Sequence, residues 1–137
     1  MDSHGGWLAS AVDLVRFAST FDNPEISPVL DQTSVDAMFG LPENISQADY
    51  NPGDAYYGNG WQVRDYGGGL RNTWHNGSLD GTSTLLVRRR DGLNWCVLFN
   101  QRDDASGLSY GDIDGLLHVA ADAVSAWPDH DLFETYL

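Results

Sequence analysis

Lysine is missing from the chain, and all seven of its basic residues are arginine. Aspartate and glutamate together number 20, and the formal net charge is −13. A surface of that sign repels phosphate backbones and anionic headgroups, so neither nucleic acid nor a membrane is expected as a partner. Cysteine occurs once, at position 96, which excludes an intrachain disulfide. Cys96 sits in the apolar run Trp95-Cys96-Val97-Leu98-Phe99, where a small buried hydrophobe is expected rather than a reactive thiol. No apolar run approaches the length needed to span a bilayer. The opening residues 1–6 hold no basic segment followed by an apolar one, so they do not read as a signal peptide, and the compartment stays open. His4, His75, His118 and His130 lack metal-ligand spacing, so no metal is expected.

What is present suffices for one compact domain over residues 1–137, with an ordinary apolar and aromatic share for its core. Residues 1–56 read as a helical and loop region, 57–102 as antiparallel strands and 103–137 as a C-terminal helix and tail. The first helix is expected over 9–21, with Ser10 as its N-cap, Asp13 in its first turn and an apolar stripe through Val12, Val15, Phe17 and Ala18. A second runs from Pro28 to Phe39 and stops at Gly40. Residues 41–55 are rich in turn formers and read as an irregular surface excursion.

The period then changes to that of strands, over 60–65, 71–75, 82–90 and 94–101. Gly67-Gly68-Gly69 is a flexible turn, and Asp91-Gly92 between two apolar runs is a strong hairpin signal. A long helix is expected over 112–127, with Asp112 as N-cap, Ile113, Leu116, Leu117, Ala120, Ala121 and Val124 as its apolar face, and Pro128 after it. The fold class is α+β: an antiparallel sheet of about three to four strands, two N-terminal helices and a long C-terminal helix.

The segment that departs from plain packing is Trp74-His75-Asn76-Gly77-Ser78-Leu79-Asp80-Gly81, which reads as a polar, glycine-containing turn between two strands. His75 is placed near a strand end, and Gly77 permits a close backbone approach, after which backbone N–H groups can serve an oxyanion. By spacing alone, a histidine beside a turn is an ordinary surface or capping group. Arg88-Arg89-Arg90 reads as a solvated edge that discourages strand addition, with a docking patch as the sharper alternative. Asp112-Ile113-Asp114-Gly115 resembles the start of a calcium loop but lacks the remaining ligands.

Three ordered segments carry a family resemblance. Gly5-Gly6-Trp7-Leu8-Ala9-Ser10-Ala11-Val12-Asp13-Leu14-Val15-Arg16-Phe17 is similar to the Gly-Gly-apolar-x-Ser-x-x-Asp-Leu-x-x-Phe segment of class C β-lactamase-like serine hydrolases. Tyr57-Gly58-Asn59-Gly60-Trp61 resembles that family's Tyr-Gly-x-Gly-Trp segment, and His75-Asn76-Gly77 stands where its Lys-Thr-Gly motif stands. Esterase, amidase and peptidase relatives carry His-x-Gly there. Gly81, the two apolar strands ending in Asn100, and Trp127-Pro128 followed by Leu132-Phe133 also fit, so the ordered set spans nearly the whole chain and resembles the carboxy-terminal part of a β-lactamase/penicillin-binding-protein-like domain.

The resemblance implies an ester, amide, peptide or β-lactam carbonyl as substrate, attacked by the serine of a Ser-x-x-Lys motif through an acyl-enzyme. With no lysine in the chain that motif is absent, and by the family pattern it belongs upstream of Gly5-Gly6-Trp7. His75, Asn76 and Gly77 then supply the motif, and the Ser78 backbone N–H the oxyanion donor. His75 either binds a substrate carboxylate when protonated or orients the proton relay when neutral. Tyr57-Gly58-Asn59 has Tyr-x-Asn spacing, but its context makes Tyr57 and Trp61 packing aromatics. The chain alone is expected to be inactive, to need no cofactor, and to dimerise or swap strands where the upstream segment would cover it. The rival expectation is a non-catalytic binding or interaction module on the same sheet.

Overall fold

The computed structural model describes residues 5–27, 29–102, 105–107, 109–132 and 135. Helix α1 is Ala11–Ser19. Ser10 caps it as expected: its hydroxyl accepts the Asp13 N–H, and the Asp13 carboxylate takes the Ser10 N–H at 2.8 Å, a reciprocal capping box. Helix α2 is Gln32–Phe39, capped by Asp31, which accepts the Ser34 N–H at 2.8 Å. These bonds hold the carboxyls of Asp13 and Asp31 below the usual carboxylate range, through Ser10 and Ser34 respectively. Because the folded values are depressed, the caps act above the ordinary carboxylate range and are lost as the pH falls through the folded ones.

Both helices are shorter than their apolar patterns. The Asp31 cap starts α2 later than the expected Pro28, a residue outside the described set.

The sheet has five antiparallel strands in the order β1-β2-β3-β4-β5: β1 Ala55–Tyr57, β2 Gln62–Asp65, β3 Arg71–Leu79, β4 Thr82–Arg88 and β5 Asn94–Phe99. The strand beyond the expected three to four is β1, three residues at the end of a loop-like segment, too short to show a period of its own. The Asp91-Gly92 turn forms as expected, closed by the Arg89 N–H on the Leu93 carbonyl at 2.8 Å.

One correction falls on the segment of greatest interest. The strand expected over 71–75 continues through residues 76–79, which are strand and not turn, and the β3–β4 hairpin turns on Asp80-Gly81 alone, with Leu79 opposite Thr82. Two turn signals compete here, Asn76-Gly77 and Asp80-Gly81. The second wins because it pairs all of β4 with residues 73–79. Gly81 takes φ 80, a conformation open to glycine, where the tight turn requires it.

Register sorts the side chains onto two faces. Val63, Thr73, Arg88 and Asn94 lie in one row, toward α1 and α2. The core sits there: Ala18, Phe21, Val35, Phe39, Tyr56, Trp61 and Val63 are all buried. Phe21, Phe39 and Phe17 surround the Trp61 indole at centroid distances of 6.2, 6.0 and 6.4 Å. On the other face Leu85 and Val87 are buried. There Trp95 meets the His118 ring at 4.9 Å, and Phe99 meets Tyr110 at the same distance.

Helix α3 covers part of that second face. It is Ile113–Asp122 after the short 3₁₀ turn Tyr110–Asp112, so it ends well before the expected Trp127, and Asp112 makes no side-chain cap. Helices are held chiefly by the face they bury. Leu116 and Val119 are mainly exposed, and no residue of α3 is fully buried.

The arginine triplet is not a solvated edge. Arg88 is largely buried; it meets Asp22 at 2.7 Å and lies over the Phe39 ring at 5.1 Å. Arg89 forks between Asp91 at 2.7 Å and Asp122 of α3 at 2.6 Å, tying the helix to the hairpin. The Asp91 carboxylate first, then burial and Asp122, set the balance at Arg89, whose pKa is raised; the same bond lowers that of Asp91. Only Arg90 is exposed, resting on the Tyr66 ring at 4.3 Å.

Candidate functional site

The backbone of β3 defines the site. β2 covers β3 from Asp65 opposite Arg71 as far as Gln62 opposite Trp74, and no pairing continues beyond that. Residues 75–79 therefore have β4 on one side and, among the described residues, no strand on the other. Two bonds fix the phase of the ladder: the Tyr66 N–H donates to the Leu70 carbonyl at 2.9 Å, and the Arg89 N–H to the Leu93 carbonyl at 2.8 Å. Hydrogen-bonded pairs alternate along antiparallel strands. Counting from those bonds, the N–H and C=O of residues 73, 75, 77 and 79 turn toward β4, and those of 72, 74, 76 and 78 turn the other way. Asn76 and Ser78 thus direct backbone donors and acceptors at an uncovered edge.

The four residues singled out in the sequence do not present their side chains together. His75 shares a row with Leu86 and Cys96, on the α1/α2 face. Asn76 shares a row with Leu85 and Val97, and Ser78 with Ser83 and Phe99, on the α3 face. His75, Asn76 and Ser78 are all exposed. Because the Ser78 hydroxyl and the His75 imidazole lie on opposite faces, they do not form a nucleophile–base pair. Gly77 does allow a close approach, but the neighbour is within the sheet: a Cβ there would stand 2.7 Å from Thr84 Oγ1. Threonine is stiff at χ1, so a side chain at position 77 would disturb the β3–β4 ladder.

A residue set aside as packing joins His75 instead. The Tyr57 hydroxyl lies 2.9 Å from His75 Nε2, and the two rings meet edge to face at 5.8 Å. Tyr57 is half exposed, whereas Trp61 is core as expected. Strict register would not have found the pair: it puts Tyr57 in the row of Trp74 and His75 in the alternate row, and the two meet where the β2–β3 pairing has ended. Tyr57 lies opposite Gln62 and Gln62 opposite Trp74, so register gives only its nearness along the sheet to the residue before His75. That register depends on loop lengths the sequence leaves undetermined.

On the α3 face a groove of about 750 Å³ opens beside the same strand. Asn76, Ser78, Arg102, Tyr110 and Asp114 contribute polar groups to it, and Leu85 and Phe99 its apolar floor. Arg102 is ion-paired with Asp80. Among the described residues no cluster of three or more His, Cys, Asp or Glu could hold a metal ion. Burial raises the pKa of the Cys96 thiol, so the thiolate is disfavoured. Comparison of the chain with family models, with curated proteins and with solved structures finds no match.

The arrangement offers one strand edge with free backbone groups at Asn76 and Ser78, headed by an imidazole whose Nε2 is engaged by a phenol. Such an edge can align an extended or acyl substrate by main-chain bonds and place a donor beside a carbonyl oxygen. Among the described residues of this edge, the Ser78 hydroxyl has no pairing with the His75 imidazole.

Proposed function

We propose that this chain supplies one wall of an acyl-hydrolase site, and that the nucleophile comes from a segment preceding it in the same domain. The class is a serine hydrolase working through an acyl-enzyme on an ester, amide, peptide or β-lactam carbonyl. Within that class, the Gly5-Gly6-Trp7, Tyr57-Gly58-Asn59-Gly60-Trp61 and His75-Asn76-Gly77 segments favour a β-lactamase/penicillin-binding-protein-like domain of the His-x-Gly type. One observation carries the reading: β3 is uncovered over residues 75–79, where the family resemblance puts the substrate-aligning motif.

In this reading the substrate lies along that edge. The Ser78 N–H donates to the carbonyl oxygen as negative charge develops on it, and His75 contacts the acyl group. The upstream serine, activated by its lysine, attacks the carbonyl carbon. The upstream segment also adds to the free edge of β5 and fills the groove beside α3; when it is absent, a second copy of the chain takes its place.

The test is hydrolysis of a chromogenic short-chain ester and a chromogenic cephalosporin by the chain joined to an upstream segment bearing Ser-x-x-Lys. The joined protein is expected to turn over at least one of them, and His75→Ala to lower kcat/KM by about 10²-fold. A joined, folded protein whose turnover ignores His75→Ala would remove this edge from the site.

A further inference from the structure

Packing does not account for the position of Tyr57. It is 48% exposed, yet its hydroxyl meets an exposed histidine 18 residues away. It is held from a fixed backbone. The next residue, Gly58, donates to the Trp61 carbonyl at 2.8 Å, and Asn59 donates to the Met38 carbonyl at 2.9 Å. Asn59 Nδ2 adds a third tie, to the Ala37 carbonyl at 3.0 Å. The three bonds anchor the end of β1 to β2 and α2, and so carry the phenol to the head of the uncovered β3 edge.

We propose that Tyr57 is a positioning residue for His75: its hydroxyl donates to Nε2 and holds the neutral imidazole in the Nδ1–H tautomer. The functional side of this inference rests on the acyl-hydrolase reading above; the geometric side does not. A phenol O–H is a stronger donor than a neutral imidazole N–H, and the bare imidazole nitrogen is a stronger acceptor than a phenol oxygen, so the bond runs from Tyr57 to His75. Among the described residues Tyr57 is the only hydrogen-bond partner of His75. With Nε2 engaged, a molecule arriving at the edge meets Nδ1–H, which is a donor. If the imidazole is protonated, the hydroxyl rotates and accepts from Nε2–H, and the ring keeps its orientation. His75 therefore presents a donor in both charge states. It suits an acyl substrate with an acceptor oxygen, a carboxylate or second carbonyl, beside the scissile bond, and it is not the base that takes the nucleophile's proton.

The experiment is long-range ¹H–¹⁵N correlation of the full chain labelled at histidine nitrogens, above the pH at which imidazole titrates. His75 is expected to show a protonated Nδ1 and an unprotonated Nε2. Tyr57→Phe should move it toward the Nε2–H form that unconstrained histidine prefers. His118, seated on Trp95 at 4.9 Å, reports whether the fold is intact and should not move. A wild-type His75 protonated at Nε2, or a tautomer that Tyr57→Phe leaves unchanged, would overturn the proposal. Should the variant not fold, the wild-type spectrum still decides the tautomer. No turnover enters this measurement, so an Nδ1–H tautomer in a protein that never hydrolyses anything would refute the hydrolase reading and leave the Tyr57–His75 pair standing.

Discussion

Trp61→Ala is expected to lower the unfolding free energy by about 3–5 kcal/mol. The indole is 5% exposed and is enclosed by Phe17, Phe21 and Phe39, one from the last turn of α1, one from just beyond its end and one from the last turn of α2. Truncation removes the group that all three rings share, and helices this short have little stability of their own to absorb the loss. Against a total of about 5–15 kcal/mol for a domain, the variant retains only a fraction of its native margin. Urea unfolding followed by tryptophan fluorescence measures the change. Trp7→Ala is the control: that ring is 82% exposed and its removal should stay within about 0.5 kcal/mol. A loss below about 1 kcal/mol for Trp61→Ala would place the core elsewhere.

The second large effect concerns the backbone at position 78. Ser78 turns its N–H to the uncovered edge, so proline there removes no bond to β4, whereas proline at Gly77 would delete a ladder donor. Ser78→Pro in the joined, active protein is therefore expected to fold and to lose about 10²–10³-fold in kcat, the usual cost of one oxyanion donor. Ser78→Ala keeps the N–H and removes only a hydroxyl on the other face of the sheet, so its kcat should stay within about threefold of wild type. The contrast between the two separates a backbone role from a side-chain role. Equal, severe losses in both would mean that the serine hydroxyl itself takes part, contrary to the placement of its side chain.

Much of the fold was legible because local and global signals agree along most of the chain. Ser10 and Asp13 form the capping box their spacing implies, Gly40 ends α2, and Asp91-Gly92 makes its hairpin. The misreadings lie where two local signals compete or where burial is decided at a distance. Asn76-Gly77 is as good a turn signal as Asp80-Gly81, and only pairing with β4 chooses between them. The apolar stripe of residues 112–127 promised a long helix, but it has too little sheet to bury and stops at Asp122. The arginine triplet looked like solvated charge because its partners, Asp22 and Asp122, are far away in sequence.

The site was legible only in part, for the same reason. His75, Asn76, Gly77 and Ser78 stand out as a polar, glycine-containing insert between apolar strands. Strand alternation then splits them across two faces, His75 meets Tyr57 by a contact that alternation does not show, and the role proposed for Ser78 falls to its backbone. A two-residue period is visible in sequence once the strand is known to continue. The end of β2 opposite Trp74, which leaves the edge open, is not visible.

The most direct test of the central claim, that this edge is one wall of an acyl-hydrolase site without its own nucleophile, is an intact-mass measurement after exposure to a serine-directed fluorophosphonate. The 137-residue chain should keep its mass, and the chain joined to a Ser-x-x-Lys segment should gain one adduct, on the upstream serine. An adduct on the chain by itself, above all at Ser78, would contradict the account.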